Sequence, residues 1–212
     1  MNKALIKEIQ TRHPSIRLVM ASKYLSASDF KPYIEAGIHD FGENRVSDFL
    51  EKEEALRAEA ITWHFLGTLQ SKKVKKMINK IDCLHSLDRL SVADEIEKRR
   101  TTPLSCFIQV NISGEESKHG VEPSELPRFL ETLKSYKMLN IIGLMGIARR
   151  TDDDTIVREQ FKRLSKLRDD GSKYHPSLRE LSMGMSEDYQ IAIEEGATTL
   201  RLGRILIKEG LR

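Results

Sequence analysis

The chain has 212 residues, of which 39% are hydrophobic and 32% charged, and its formal net charge is +3. This is the composition of a globular protein with a sizeable core, and no apolar run is long enough to cross a membrane. The basic residues are spread along the chain, which argues against a nucleic-acid-binding protein.

The first thirteen residues, MNKALIKEIQTRH, form a charged amphipathic pattern without the apolar centre of a signal peptide. Cys83 and Cys106 lie far apart and match no metal-ligand spacing. We therefore expect a cytoplasmic, monomeric protein with free core thiols and no metal site.

Short apolar runs alternate with amphipathic stretches along the whole chain. The run at 16–21 is too short for a helix and is typical of a buried strand. The same reasoning predicts strands at 16–21, 38–41, 62–66, 81–85, 104–110, 140–145, 178–181 and 199–202. It predicts helices at 2–12, 29–36 (closed by Gly37), 46–59, 71–79, from a cap at Asp88 to Arg99, 124–136, 156–169 and 187–195 (closed by Gly196).

Eight strands that alternate with helices predict a parallel sheet, because each crossover needs a helix. Eight such units close into a (β/α)8 TIM barrel, here with an extra N-terminal helix. No linker composition interrupts the pattern, so we predict one domain over 1–212. The alternative is an open doubly wound sheet, which would normally carry a glycine-rich turn where this chain has Lys23.

In a barrel the carboxyl ends of all strands face one mouth. The residues predicted at these ends are Lys23, Asn44, His64, Ser86, Asn111, Met145, Ser182 and Gly203. Polar strand ends are expected of any barrel, but a lysine after the first strand can also form a Schiff base with an aldehyde. The simpler interpretation is a solvated lysine.

The last two junctions, LSMGMSED and TTLRLGR, have the features of a phosphate site. The first offers Ser182, Gly184 and Ser186 before a helix, and the second offers Gly203 and Arg204. Barrel phosphate sites commonly lie in the loops after strands seven and eight. The two serines could equally be helix caps only.

Arg201 lies two residues before Gly203, so strand alternation places it on the same inner side, where it needs a partner. Together these residues suggest pyridoxal 5'-phosphate (PLP). Its aldehyde would bind Lys23, and its phosphate would bind Ser182, Gly203 and Arg204. Arg201 would donate to the ring nitrogen and keep it unprotonated, which disfavours most carbanion chemistry.

Motifs through nearly the whole chain resemble the pyridoxal phosphate homeostasis proteins of the YggS/PROSC family. They are ASKY, FGENR, WHFLGTLQSKKVK, HSLD, QVNISGEESKHG, GLMGIA and LSMGMSEDYQIAIEEGATTLRLGR. The family is similar in fold to the N-terminal domain of alanine racemase. The resemblance implies a Schiff base on Lys23, the phosphate on Ser182, Gly203 and Arg204, and Arg201 at the ring nitrogen. It also implies that Asn44, His64 and Met145 line the pocket, although His64 could be an ordinary core histidine.

Three features depart from the family pattern. Tyr24-Leu25-Ser26 stands where the family usually has a proline, the N-terminal helix is short, and the chain ends in ILIKEGLR rather than a phenylalanine-glycine ending. We expect none of them to touch the pocket.

The function that these features predict is binding of PLP in vitamin B6 homeostasis, without catalysis. A racemase of the alanine-racemase type needs a second acid–base group from a C-terminal domain, and we expect no such domain in this chain. The candidate partners are PLP itself and PLP-requiring apoenzymes. The alternatives are a PLP-dependent amino-acid racemase, a cofactor-free Schiff-base aldolase, and an RNA- or protein-binding barrel acting through Lys72, Lys73, Lys75 and Lys76.

Overall fold

Eight parallel strands close into a barrel in the computed structural model, in which residues 1–115 and 119–207 are described. The strands are β1 (Arg17–Ala21), β2 (Asp40–Glu43), β3 (Thr62–Phe65), β4 (Cys83–Leu87), β5 (Leu104–Gln109), β6 (Leu139–Met145), β7 (Glu180–Ser182) and β8 (Thr199–Leu202). They follow one another in sequence order, and β8 pairs with β1, with Leu200 opposite Leu18. The barrel is therefore confirmed, and the open sheet is wrong.

Helices occupy the connections between the strands. They are α1 (Lys3–Arg12), α2 (Lys31–Glu35), α3 (Val46–Ala55), α4 (Ser71–Met77), α5 (Leu90–Arg99), α6 (Leu126–Leu133), α7 (Asp154–Ser172), α8 (Tyr189–Glu194) and α9 (Arg204–Ile207). Helix α1 precedes the barrel as predicted, whereas the short α9 was not predicted. None of the helices in the described ranges combines the length and apolar character needed to cross a bilayer.

The predicted helix ends are correct at α2 and α8. Gly37 and Gly196 follow them with φ of +83° and +90°, which a glycine adopts without the steric penalty of a Cβ. The predicted cap at α5 is wrong. Arg89 holds the N-cap position, and the Asp88 carboxylate accepts hydrogen bonds of 2.7 and 2.8 Å from the Arg89 guanidinium instead of capping the helix.

Two apolar clusters hold the barrel. The larger one packs the helices against the strands and includes Phe30 stacked on Phe41, with ring centroids 4.3 Å apart. The smaller one consists of Cys83, Phe107 and Met145. Cys83 and Cys106 are free buried thiols, as predicted, and burial raises the pKa of both.

The barrel brings the residues that follow each strand to one mouth, where the candidate site lies. The atypical C-terminal sequence falls mostly on residues 208–212, which lie outside the described residues.

Candidate functional site

A pocket of about 690 Å³ opens at the carboxyl ends of the strands. This volume lies in the usual range for a small-molecule site. The residues that line it include Lys23, Tyr24, Asn44, Thr68, Gln109, Asn111, His119, Ser186, Asp188, Arg201, Gly203 and Arg204. The junctions after the first strand and after the last two strands therefore share one cavity.

Lys23 is exposed and lines this pocket. Its Nζ atom lies 4.5 Å from the ring centroid of Tyr24, a cation–π distance. A hydrogen bond with Lys23 and the charge of its ammonium lower the pKa of the Tyr24 phenol. The expectation that the departures from the family pattern avoid the pocket is therefore wrong, because Tyr24 lines it beside the lysine.

A buried ion pair fixes the backbone just before Lys23. Lys52 Nζ donates to Glu43 Oε1 at 2.5 Å and to the Ser22 carbonyl at 2.8 Å, and the Ser22 hydroxyl donates to Glu43 Oε1 at 2.6 Å. These contacts join the ends of β1 and β2, from which Lys23 and Asn44 extend. Sequence reasoning missed this pair. The available signal was the position of Lys52 three residues after Phe49, on the buried face of α3.

Ser186, Gly203 and Arg204 form the other side of the pocket. The Ile205 backbone N–H donates to Ser186 Oγ at 3.4 Å, which links the turn after β7 to the start of α9. A Cβ on Gly203 would lie 3.0 Å from the Ala21 carbonyl oxygen, so a glycine suits this close approach. The half-exposed Arg204 pairs with Glu187 at 2.5 Å.

Ser182, predicted as a phosphate ligand, is not among the residues that line this pocket. It is fully buried as the last residue of β7, and its Oγ lies 2.6 Å from Arg201 Nη1 and 2.8 Å from His85 Nδ1. The Ser182 side chain points into the barrel interior, whereas Ser186, in the following turn, reaches the mouth. Of these two serines, Ser186 lines the pocket.

Arg201 lies at the floor of the pocket and is 5% exposed. Its Nη1 donates to Ser182 and its Nη2 donates to the Gly146 carbonyl at 3.0 Å. Burial lowers the pKa of Arg201 to about 10, so the guanidinium remains charged near neutral pH. Arg201 therefore places a fixed positive charge at the floor of the pocket.

Two further predicted wall residues also lie below the floor. His64 is buried between Asp40 and His85, and Met145 packs in the cluster with Cys83. Both are strand residues of the barrel interior, so their side chains stop short of the mouth. Asn44 follows β2 and does line the pocket.

His64, Cys83 and His85 bring three potential metal-ligand atoms within 4.8 Å of one another, although their sequence spacing matches no metal motif. The His64 Nδ1 to His85 Nε2 distance is 2.8 Å. Two nitrogens on one tetrahedral zinc ion would lie roughly 3.3 Å apart, given the usual zinc–nitrogen distance. The geometry is that of a hydrogen bond between the rings.

The family described as "Alanine racemase, N-terminal domain" matches residues 4–209. A "Pyridoxal phosphate homeostasis protein" from Aquifex aeolicus is 41% identical over 197 residues, which cover 91% of this chain and 86% of that protein. The chain belongs to the pyridoxal phosphate homeostasis protein family.

Solved structures agree with this membership of the pyridoxal phosphate homeostasis family. PipY from Synechococcus elongatus without PLP is 30% identical with a TM-score of 0.91, over 98% of this chain and 100% of PipY. PipY with PLP bound is 29% identical with a TM-score of 0.89 over the same shares. The alanine racemase of Corynebacterium glutamicum is 13% identical with a TM-score of 0.75, over 100% of this chain and 62% of the racemase, which shows the shared barrel fold alone.

Proposed function

We propose that this chain binds PLP reversibly in the pocket at the barrel mouth and holds it without catalysis. The observation that carries the proposal is that one cavity is lined by an exposed lysine amine, a buried guanidinium, and a serine–glycine–arginine wall. Those groups match the aldehyde, the ring nitrogen and the phosphate of the cofactor. A structural relative, PipY, has been solved with PLP bound.

The pocket offers partners for both the phosphate and the aldehyde of the cofactor. Ser186, the backbone at Gly203, and Arg204 would hold the phosphate, and Arg201 would donate to the ring nitrogen. The amine of Lys23 would condense with the aldehyde, forming a Schiff base and releasing one water molecule. The Ser22–Glu43–Lys52 contacts hold the backbone from which this amine extends.

The charged pocket floor supports the proposal that the cofactor is held without catalysis. Arg201 is charged and donates two hydrogen bonds within the protein. It would therefore donate a hydrogen bond to the ring nitrogen without transferring a proton to it. PLP supplies an electron sink for carbanion chemistry when its ring nitrogen is protonated, and an arginine partner weakens that sink. The expected acceptors of the held cofactor are PLP-requiring apoenzymes.

Reconstitution with PLP tests the attachment point. Purified protein should show the Schiff-base absorption band, and borohydride should fix the cofactor to a peptide that contains Lys23. Lys23→Ala should lose both the band and the label. Lys31→Ala, which alters an exposed lysine at the start of α2, should keep them. A label on another residue, or an unchanged band in Lys23→Ala, would show that the assignment is wrong.

A racemase is the second candidate, because Tyr24 and His119 line the same pocket and each could serve as an acid–base group. Exchange of the α-proton of D- and L-alanine in deuterated water separates the two functions. We expect the loaded protein to exchange no faster than free PLP. Faster exchange that Tyr24→Phe or His119→Asn abolishes would establish the racemase instead.

The single-domain extent, the monomeric state and the cytoplasmic location stay predictions. Light scattering of the purified protein would test the monomeric state, and limited proteolysis would test the single domain.

A further inference from the structure

A line of hydrogen-bonded side chains crosses the barrel interior beneath the pocket. Asp40 Oδ1 lies 2.8 Å from His64 Nε2, and His64 Nδ1 lies 2.8 Å from His85 Nε2. His85 Nδ1 lies 2.8 Å from Ser182 Oγ, which lies 2.6 Å from Arg201 Nη1. We call these five residues the cross-barrel relay.

The relay runs from one end of the barrel to the other. Asp40 is the first residue of β2, and its side chain is 27% exposed, whereas His64, His85 and Ser182 are at most 1% exposed. Strands β4 and β7 are not neighbours in the barrel, so the bond from His85 to Ser182 passes through the interior. The Phe107 ring stacks on His85, with centroids 4.5 Å apart, and holds its orientation.

The Asp40 end determines the direction of every hydrogen bond when both imidazoles are neutral. A carboxylate only accepts, so His64 must carry its proton on Nε2 and accept at Nδ1. His85 then donates from Nε2 and accepts at Nδ1 from the Ser182 hydroxyl. Ser182 Oγ in turn accepts from Arg201, so each member of the relay has a fixed role.

His85 is the member whose neutrality the structure supports most directly. Burial, together with the charge of Arg201, lowers the pKa of His85 well below its ordinary value. A proton added to His64 would place hydrogen on both of its nitrogens. His85 would then have to accept at Nε2 and donate from Nδ1. This would reverse the hydrogen bond between His64 and His85 and the one between His85 and Ser182.

The Arg201 end decides what the relay can do. A guanidinium has five donors and no acceptor, and it keeps its protons under ordinary conditions. The relay therefore cannot carry a proton to a ligand that lies on Arg201. It can hold the guanidinium in place, because Ser182 is the acceptor for Nη1 while the Gly146 carbonyl is the acceptor for Nη2.

Several charged or titratable groups surround the two ends. Arg17 lies 3.7 Å from Asp40 and 3.7 Å from Glu180, which places all three near the amino ends of their strands. Cys83 lies beside the two histidines, and its buried thiol has a raised pKa. At the other end, the charge of Asp188 acts on Arg201.

We propose that Asp40, His64 and His85 are positioning residues for Arg201. The carboxylate at the far end of the barrel sets the direction of the relay, and the relay keeps Ser182 as the acceptor that fixes the guanidinium under the pocket. The inference rests on the proposed function only for its effect on bound PLP. The direction of the relay is a property of the protein alone.

The first test is nitrogen-15 NMR of the histidine rings in the protein without ligand. We expect His85 to be neutral with hydrogen on Nε2 near neutral pH, and His64 to donate from Nε2 and accept at Nδ1. In Asp40→Asn the carboxamide can donate as well as accept, so the Nδ1–H form should become populated in both rings. Glu180→Gln is the matched control, because Glu180 also contacts Arg17 at 3.7 Å but lies outside the relay.

The second test is the affinity for PLP. Asp40→Asn should raise the Kd roughly twofold to tenfold, the equivalent of one net hydrogen bond, while Glu180→Gln should leave it unchanged. Hydrogen on Nδ1 of His85 in the wild-type protein would overturn the proposal. Wild-type tautomers in Asp40→Asn, or altered tautomers with an unchanged Kd, would also overturn it.

The two proposals can fail separately. If wild-type protein binds no PLP, the proposed function is wrong. In that case the NMR measurement still decides the direction of the relay. The thermal stability of Asp40→Asn relative to Glu180→Gln then reports whether the relay holds Arg201. Equal stabilities of the two variants would overturn the proposal that Asp40 is a positioning residue.

Discussion

Lys52 Nζ lies 2.5 Å from Glu43 Oε1, and both side chains are shielded from solvent, with exposures of 9% and 0%. The same amine donates to the carbonyl of Ser22, the residue before Lys23. This contact joins helix α3 to the ends of the first two strands. It therefore links the stability of the barrel to the position of the proposed cofactor lysine.

Lys52→Met should destabilise the protein strongly. It leaves the Glu43 carboxylate buried with the Ser22 hydroxyl as its remaining partner, and Glu43 Oε2 already lacks a hydrogen bond within the described residues. Removing one partner of a buried ion pair typically costs about 3–5 kcal/mol. Urea unfolding of the protein without ligand measures the change.

The matched control is Lys80→Met, which removes the partner of Glu53 in a more exposed ion pair. Surface pairs contribute less than about 1 kcal/mol, so this variant should unfold close to wild type. Equal losses in the two variants would contradict a special role for the Lys52–Glu43 pair.

Ser186→Ala and Ser182→Ala should have different consequences. Ser186 lines the pocket, so its loss should weaken the binding of PLP but not of pyridoxal, which lacks the phosphate. Ser182 links Arg201 to His85, so its loss should lower the free energy of unfolding by about 1–3 kcal/mol, as for other buried groups left without a partner. Fluorescence titration with both vitamers and urea unfolding measure these effects. If the ratio of the affinities for PLP and pyridoxal were the same in Ser186→Ala and wild type, the phosphate would have to lie elsewhere.

Stability should decrease in acid because of His85. Its pKa is lowered in the folded protein, so below about pH 6.5 the unfolded chain takes up a proton that the folded chain does not. The contribution is fully present above that pH and is lost as the pH falls, by about 1.4 kcal/mol per pH unit for one proton. Urea unfolding of wild type and His85→Gln across this range should show the difference between them shrinking towards low pH. A pH-independent difference would contradict the prediction.

The Tyr24 phenol should ionise at a lower pH than an ordinary tyrosine, because the Lys23 ammonium stabilises the phenolate. Ultraviolet titration of wild type minus Tyr24→Phe isolates this group. In Lys23→Met the pKa of Tyr24 should rise towards its ordinary value. No rise in that variant would mean that the two side chains do not interact in solution.

Local sequence patterns determined the barrel and part of its site. Strand and helix periods are properties of neighbouring residues, so the eight units could be predicted along with the pocket positions of Lys23, Gly203 and Arg204. Arg201 could be placed by alternation from Gly203, because side chains on one strand alternate regardless of the rest of the fold.

The tertiary structure alone decided how deep each inward side chain lies. Ser182, His64 and Met145 are at or near strand ends in the sequence, yet the stagger of the closed barrel leaves them beneath the floor, while Ser186 reaches the mouth. The contact of Lys52 with Glu43 and the line from Asp40 to Arg201 join separate elements that meet only when the barrel closes. Periodicity fixes which side a residue faces, but only the register between strands fixes what it meets there.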